Sequence, residues 1–157
     1  MNALAIRPMT PAEIDAYVDH VALGYFQQRI EYGGEPPEVA ERHTAEAMER
    51  YFPHRRPAEG QHLFAAEVAG EVVGSLWLAE QARGGPDGQG WVYDVEIDPA
   101  YRGRGYGRAL MEVAERQARE YGCSSLGLNV FGGNEVAIRL YQSLGYRTVS
   151  QQMNKRL

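Results

Sequence analysis

Apolar residues recur along this chain with two different periods, and the switches between them divide it into elements. "LAIRPM" (4–9) alternates as a short strand. Ile14, Tyr17, Val18, Val21, Ala22 and Tyr25 then recur at helical spacing. Thr10 is placed as N-cap, Pro11 in the first turn, and Glu13 where it complements the helix dipole. "GGEPP" (33–37) breaks that pattern, "PEVAERHTAEAMERYF" predicts a second helix ending near Pro53, and "PHRRPAEGQ" reads as loop. "HLFAAEVAG" and "EVVGSLWLAE" are strand-like runs meeting at Gly70-Glu71, a predicted hairpin. After the glycine-rich stretch 82–90 comes "WVYDVEI". Its period of two sets Trp91, Tyr93, Val95 and Ile97 on one face and Val92, Asp94 and Glu96 on the other.

A helix follows from about Gly105 to Tyr121, with Leu110, Val113, Ala114, Ala118 and Tyr121 as its apolar stripe and Gly122 as its stop. "SSLGLNV" predicts another strand. "FGGNEVAIRLYQSLG" predicts a loop and a short helix capped by Asn134 and stopped by Gly145, and "YRTVSQQMNKRL" closes the chain as a last extended segment. The order β-α-α-β-β-β-α-β-α-β implies a single α/β (α+β) domain over 1–157, with one mixed sheet flanked by helices.

Charge narrows the function classes. The chain has 157 residues and a net charge of −5, which disfavours a nucleic-acid partner and tolerates a cationic substrate. No apolar run approaches the roughly 20 residues of a membrane span. The first ten residues do not read as a signal peptide, so a cytoplasmic location and no membrane partner are expected. The single cysteine, Cys123, reads as a buried bystander, and the four histidines have no ligand spacing, so no metal is expected.

"YRGRGYG" (101–107) adds the chemistry. Strand, glycine-rich turn and helix together make an anion site, because the first N–H groups of a helix lack internal partners and its dipole is positive there. Gly103, Gly105 and Gly107 allow close approach, and Arg102, Arg104 and Arg108 add charge at the rim. No lysine follows in P-loop position, and G-x-G-x-G late in the chain disagrees with a dinucleotide fingerprint. The pyrophosphate of coenzyme A and a plain tight turn remain.

"VEIDPAYRGRGYGRALM" resembles the acetyl-CoA-binding segment of the GNAT superfamily of N-acetyltransferases, matching its pattern at Arg102, Gly105 and Gly107. "LNVFGGNEVAIRLYQSLGYRTV" resembles the same family's second signature, an asparagine opening a helix that carries a tyrosine and ends in "LGY". The resemblance covers about residues 63–157, the expected acetyl-CoA-binding core, and leaves 1–62 as the variable acceptor side. It implies a mostly antiparallel sheet of six to seven strands with about four helices, splayed between strands 4 and 5.

What the resemblance implies for individual residues follows from that fold. Main-chain groups of Val95 and Ile97 would pair with the pantetheine arm, and Arg102, Gly103, Arg104, Gly105, Tyr106, Gly107 and Arg108 would wrap the pyrophosphate. Asn134 would contact the cofactor, although its position equally suits a helix cap. Tyr141 would protonate the leaving thiolate, although with Ala137 and Leu144 it forms a stripe that on pattern alone reads as core. Asp94 or Glu96 would act as base or hold the acceptor. The expected activity is acetyl transfer from acetyl-CoA to a primary amine of a small molecule, peptide or protein, with a homodimer as a family-level expectation. A non-catalytic acyl-CoA sensor is the alternative. The acceptor pocket is expected from the first two helices, the Gly33–Pro37 loop and the strand 4 face, with Tyr17, Tyr25, Tyr32, Tyr51 and Phe52 as aromatic lining.

Overall fold

A computed structural model describes residues 3–153, 155 and 157. Its elements are β1 (Ala5–Pro8), α1 (Pro11–Glu31), α2 (Pro37–Tyr51), β2 (Gln61–Val68), β3 (Glu71–Ala79), β4 (Gln89–Ile97), α3 (Tyr106–Glu120), β5 (Ser125–Leu128) and α4 (Glu135–Ser143), with 3-10 turns at Pro53–Arg55 and Pro99–Tyr101. The chain divides into two compact units, Met1–Gly127 and Leu128–Leu157.

In the first unit the sheet runs β1-β2-β3-β4-β5. β1 to β4 are antiparallel neighbours. β5 returns through α3, as a parallel neighbour must: Ser124 donates its backbone N–H to Gly88, and Gly127 approaches Trp91, so both strands advance together. The N-terminal signals act as read. Thr10 and Glu13 close a capping box, and Glu13 also takes two hydrogen bonds from the Arg7 guanidinium at 2.7 and 2.8 Å. Arg29 grips Glu35 and Tyr25, which ties the Gly33–Pro37 loop back to α1.

Each face of the sheet carries its own core. Tyr17, Val18, Phe52, Leu63 and Trp77 are buried together on the face covered by α1 and α2, with Met48, Tyr51 and Tyr93 packed around them. On the other face α3 packs against β3 and β4, burying Leu110, Met111, Val113, Ala114 and Ala118. Leu76 and Leu78 in β3 alternate with Trp77 and are completely buried.

One irregularity breaks the expected alternation. Trp77 pairs with Asp94 and Leu78 with Val92, so Tyr93 is an extra residue, a β-bulge. Tyr93 stacks on Trp77 at 4.5 Å, while Asp94 lies opposite that same tryptophan. Tyr93 and Asp94 therefore share a face, where simple alternation separates them.

In the second unit Asn134 caps α4 through the backbone N–H of Ala137. A Schellman turn at Gly145 ends the helix: Tyr146 N–H bonds the Tyr141 carbonyl and Gly145 N–H that of Gln142, with the two tyrosine rings edge-on at 6.0 Å. The expected count of six to seven strands is corrected to five among the described residues. Among the described residues, the segment after Gly145 forms no strand, and its apolar Val149 and Met153 are 97% and 85% exposed. Alternation makes a strand only where a face can be buried and a ladder partner found.

Candidate active site

Two acids of β4 face α1, and two residues of α1 meet them. Tyr17 and His20 lie three apart and project from one side of the helix, while Asp94 and Glu96 lie two apart on the strand. The Tyr17 hydroxyl donates to Asp94 Oδ2 at 2.7 Å, and His20 Nε2 lies 3.0 Å from Glu96 Oε2. Arg102 Nη2 stands 3.6 Å from the other Glu96 oxygen. The bulge at Tyr93 sets Asp94 beneath α1, where burial pushes its carboxyl above the usual carboxylate range, against the opposing pull of the Tyr17 hydrogen bond. Burial and the neighbouring Asp94 push the Tyr17 phenol well above its ordinary value, so it stays a hydrogen-bond donor.

Beside this cluster opens a cleft of about 310 Å³. Its apolar floor includes Met9, Ala16, Ala65 and Val72, and its polar rim includes Tyr17, His20, Ser75, Glu96 and Asp98. α1 and strands β2 to β4 supply the walls; none of the lining comes from α2 or the Gly33–Pro37 loop. Of the aromatic residues expected to line a pocket, Tyr17 does. Phe52 is buried in the core, Tyr51 packs edge-on against Trp77, and Tyr25 lies under the Arg29 guanidinium.

β4 then leads into the glycine turn. Asp98 N–H bonds Val73, and the Glu96 carbonyl lies against Gly74, so these groups point to β3. By the alternation of an antiparallel ladder, the backbone groups of Val95 and Ile97 point to the opposite side. Gly103 (φ 76°) and Gly105 (φ 81°) adopt left-handed conformations, and an added side chain at either would meet nothing within 4 Å. Gly105 is the N-cap of α3, and no side chain caps this helix. Its first residues, Tyr106, Gly107 and Arg108, therefore offer N–H groups and the positive end of a dipole to an anion. Arg102 and Arg104 turn back onto the loop's own carbonyls, Ile97 at 2.8 Å and Ala100 at 3.2 Å. The loop thus fits a pyrophosphate through its backbone, with these two arginines bracing it.

The second unit holds Asn134 and Tyr141 on one helix, seven residues or about 10 Å of axis apart. Asn134 acts as the cap, and the Tyr141 ring packs on Tyr146. The structure brings Asp94 and Glu96 together with Tyr17, His20 and Arg102, and it arrays 103–108 at the start of α3. Sequence reasoning gave Tyr17 to an aromatic lining and left His20 among four histidines without ligand spacing. Their i, i+3 spacing, matching the i, i+2 spacing of the two acids, was the available signal. Among the described residues, no group of three or more His, Cys, Asp or Glu could hold a metal ion, and no helix is long and apolar enough to cross a membrane.

The model of the acetyltransferase (GNAT) family matches residues 24–146. YycN of Bacillus subtilis, described as an uncharacterised N-acetyltransferase, is 25% identical over 155 residues, covering 98% of this chain and 99% of YycN. YdgE of the same organism, described in the same words, is 28% identical over 99% of both chains. The crystal structure of YycN superimposes with a TM-score of 0.87 over 99% of each chain. The aminoglycoside N-acetyltransferase AAC(6')-Iy, solved in complex with CoA, shares the fold at a TM-score of 0.60 and 17% identity, covering all of this chain and 96% of that one.

Proposed function

Because the chain belongs to the acetyltransferase (GNAT) family of N-acetyltransferases, we propose that it transfers an acetyl group from acetyl-CoA directly to a primary amine of a small molecule, peptide or protein in a ternary complex. The observation that carries this reading is one strand with two features. β4 presents Asp94 and Glu96 beside a cleft, and it leads through a turn of left-handed glycines into a helix that no side chain caps.

In this reading the loop from Arg102 to Arg108 wraps the pyrophosphate, through N–H groups that begin at Gly103, and the outward backbone groups of Val95 and Ile97 hold the pantetheine arm where the sheet splays between β4 and β5. β5 has four residues against the nine of β4, which supports such an opening. Asn134 contacts the cofactor while capping α4, and the whole of 1–157 works as one catalytic domain. Acetyl-CoA supplies the thioester. The acceptor, an ammonium near neutral pH with an ordinary pKa of about 10.4 if it resembles lysine, gives its proton to the side of the site that holds Asp94 and Glu96. Its nitrogen then bonds the thioester carbonyl carbon as the C–S bond breaks, Tyr141 gives its proton to the departing thiolate, and the second proton shed by the new amide nitrogen passes through solvent to restore the phenol.

An amine panel, read by release of free CoA, tests the proposal, with calorimetry for acetyl-CoA binding alongside. Turnover of at least one primary amine is expected. Binding of acetyl-CoA without turnover on any amine would support the sensor alternative, and no binding at millimolar acetyl-CoA would refute both.

A further inference from the structure

Which group on the acid side takes the proton follows from how α1 divides the two carboxylates. We propose, resting on the acetyltransferase reading above, that His20 is the general base of this site and that Glu96 is its positioning residue. The nitrogen nearest the Glu96 carboxylate must carry a hydrogen to be held 3.0 Å from it, so the neutral ring is the Nε2–H tautomer. The lone pair is then on Nδ1. The amine's N–H bond breaks, directly or through one water, and an Nδ1–H bond forms. The resulting imidazolium is stabilised by the carboxylate on its other side, and it returns its proton to solvent. The His20 side chain is 63% exposed, which leaves that exit open, and the ring lines the cleft where an amine would enter.

Asp94 is unsuited to the same task. Its Oδ2 is occupied by Tyr17, and it lies beneath α1. Glu13 on its own helix, Glu96 on β4 and Asp98 beyond line the cleft with His20, and Arg102 stands by the far oxygen of Glu96. Arg7 is already paired with Glu13 and Glu67. An isolated carboxylate ordinarily titrates near 4, an imidazole near 6.5, and a base works best when its affinity for protons is close to the ambient pH.

The test is the pH profile of kcat/KM from pH 5 to 9 for wild type, His20→Gln and Glu96→Gln, with acetyl-CoA affinity measured in each. His20→Gln is expected to lower kcat at pH 7 by about 100-fold and abolish the acid limb, with acetyl-CoA affinity unchanged. Glu96→Gln is expected to lower kcat about 10-fold with KM little changed, because the ring loses the carboxylate that fixes its Nε2–H tautomer. Imidazole NMR should show His20 as the Nε2–H tautomer in wild type and as a mixture of tautomers in the Glu96→Gln protein. A His20→Gln profile superimposed on that of an active wild type, or an unchanged His20 tautomer in Glu96→Gln, overturns the assignment while the acetyltransferase reading stands. A wild type that binds acetyl-CoA but acetylates no amine overturns that reading, and this assignment with it.

Discussion

The Tyr17 phenol donates a 2.7 Å hydrogen bond to Asp94 Oδ2, joining the middle of α1 to the bulged part of β4 across 77 positions of sequence. It is a strong bond in a costly place. The carboxylate is half-buried, and the phenol is the partner that offsets part of the desolvation.

A stability effect with a definite sign follows. Asp94 has a folded pKa raised above its unfolded value near 3.9. Between those two values the folded protein binds more protons than the unfolded chain, so this group's contribution to stability falls as pH rises through that window and is constant above it. Asp94→Asn keeps an acceptor for Tyr17 and removes the charge. It should abolish that slope and leave stability at pH 7 equal to wild type or higher. Tyr17→Phe should cost about 1–3 kcal/mol at pH 7 and extend the slope upward in pH, because it removes the bond that holds the Asp94 pKa down. Urea unfolding across pH 4 to 8 measures both, and a wild-type slope retained in Asp94→Asn would contradict the account.

The glycine turn separates conformational strain from crowding. At Gly105 an added methyl group meets nothing, so Gly105→Ala should cost only the left-handed backbone, about 1–2 kcal/mol. It should also weaken acetyl-CoA binding about 10-fold as the turn and the start of α3 reorganise. Gly132, with equally open space and no positive φ, is the control: Gly132→Ala should stay within about 0.5 kcal/mol of wild type. Equal effects of the two substitutions on acetyl-CoA affinity by calorimetry would remove the turn from the binding site.

Gly74 makes the opposite case. A methyl group there would run into the backbone carbonyl of Glu96 in the paired strand. β3 and β4 must then separate just where the cleft begins. Gly74→Ala should cost about 3 kcal/mol or more, above the left-handed strain at Gly105, because backbone relaxes less readily than side chains. It should also displace Glu96 and lower kcat/KM together with stability. A Gly74→Ala protein as stable as wild type in urea would show that the ladder yields without cost.

These contrasts mark where the sequence was legible. Thr10, Pro11 and Glu13 announced the start of α1, and Gly122 and Gly145 the ends of α3 and α4, because capping is local chemistry within a few residues. The turn from Arg102 to Gly107 was readable for the same reason. The bulge was not: one extra residue at Tyr93 leaves the composition of "WVYDVEI" unchanged and becomes visible only in the register against Trp77 and Leu78. With it went the true face of Tyr93, and the reason Asp94 meets Tyr17. For His20 the i, i+3 spacing from Tyr17 was the one signal, and it does not place the residue, because nothing local states which turn of α1 lies above Glu96. The last extended segment failed for a related reason, since a strand depends on a neighbour that its own residues do not encode.

Tyr141 carries the last prediction. Its place in α4 is fixed partly by packing, since its ring sits edge-on to Tyr146 and its carbonyl receives the Schellman bond. Both features survive in Tyr141→Phe, which removes only the hydroxyl. If that hydroxyl protonates the thiolate, the substitution should lower kcat by about 100-fold or more while acetyl-CoA affinity is retained. The loss should be smaller with an acyl donor whose thiol leaving group has a lower pKa, because a better leaving group depends less on a proton. A melting curve checks that the helix is intact. A kcat within twofold of wild type would reduce Tyr141 to the packing role that its stripe with Ala137 and Leu144 suggests, and would leave the thiolate to be protonated by solvent.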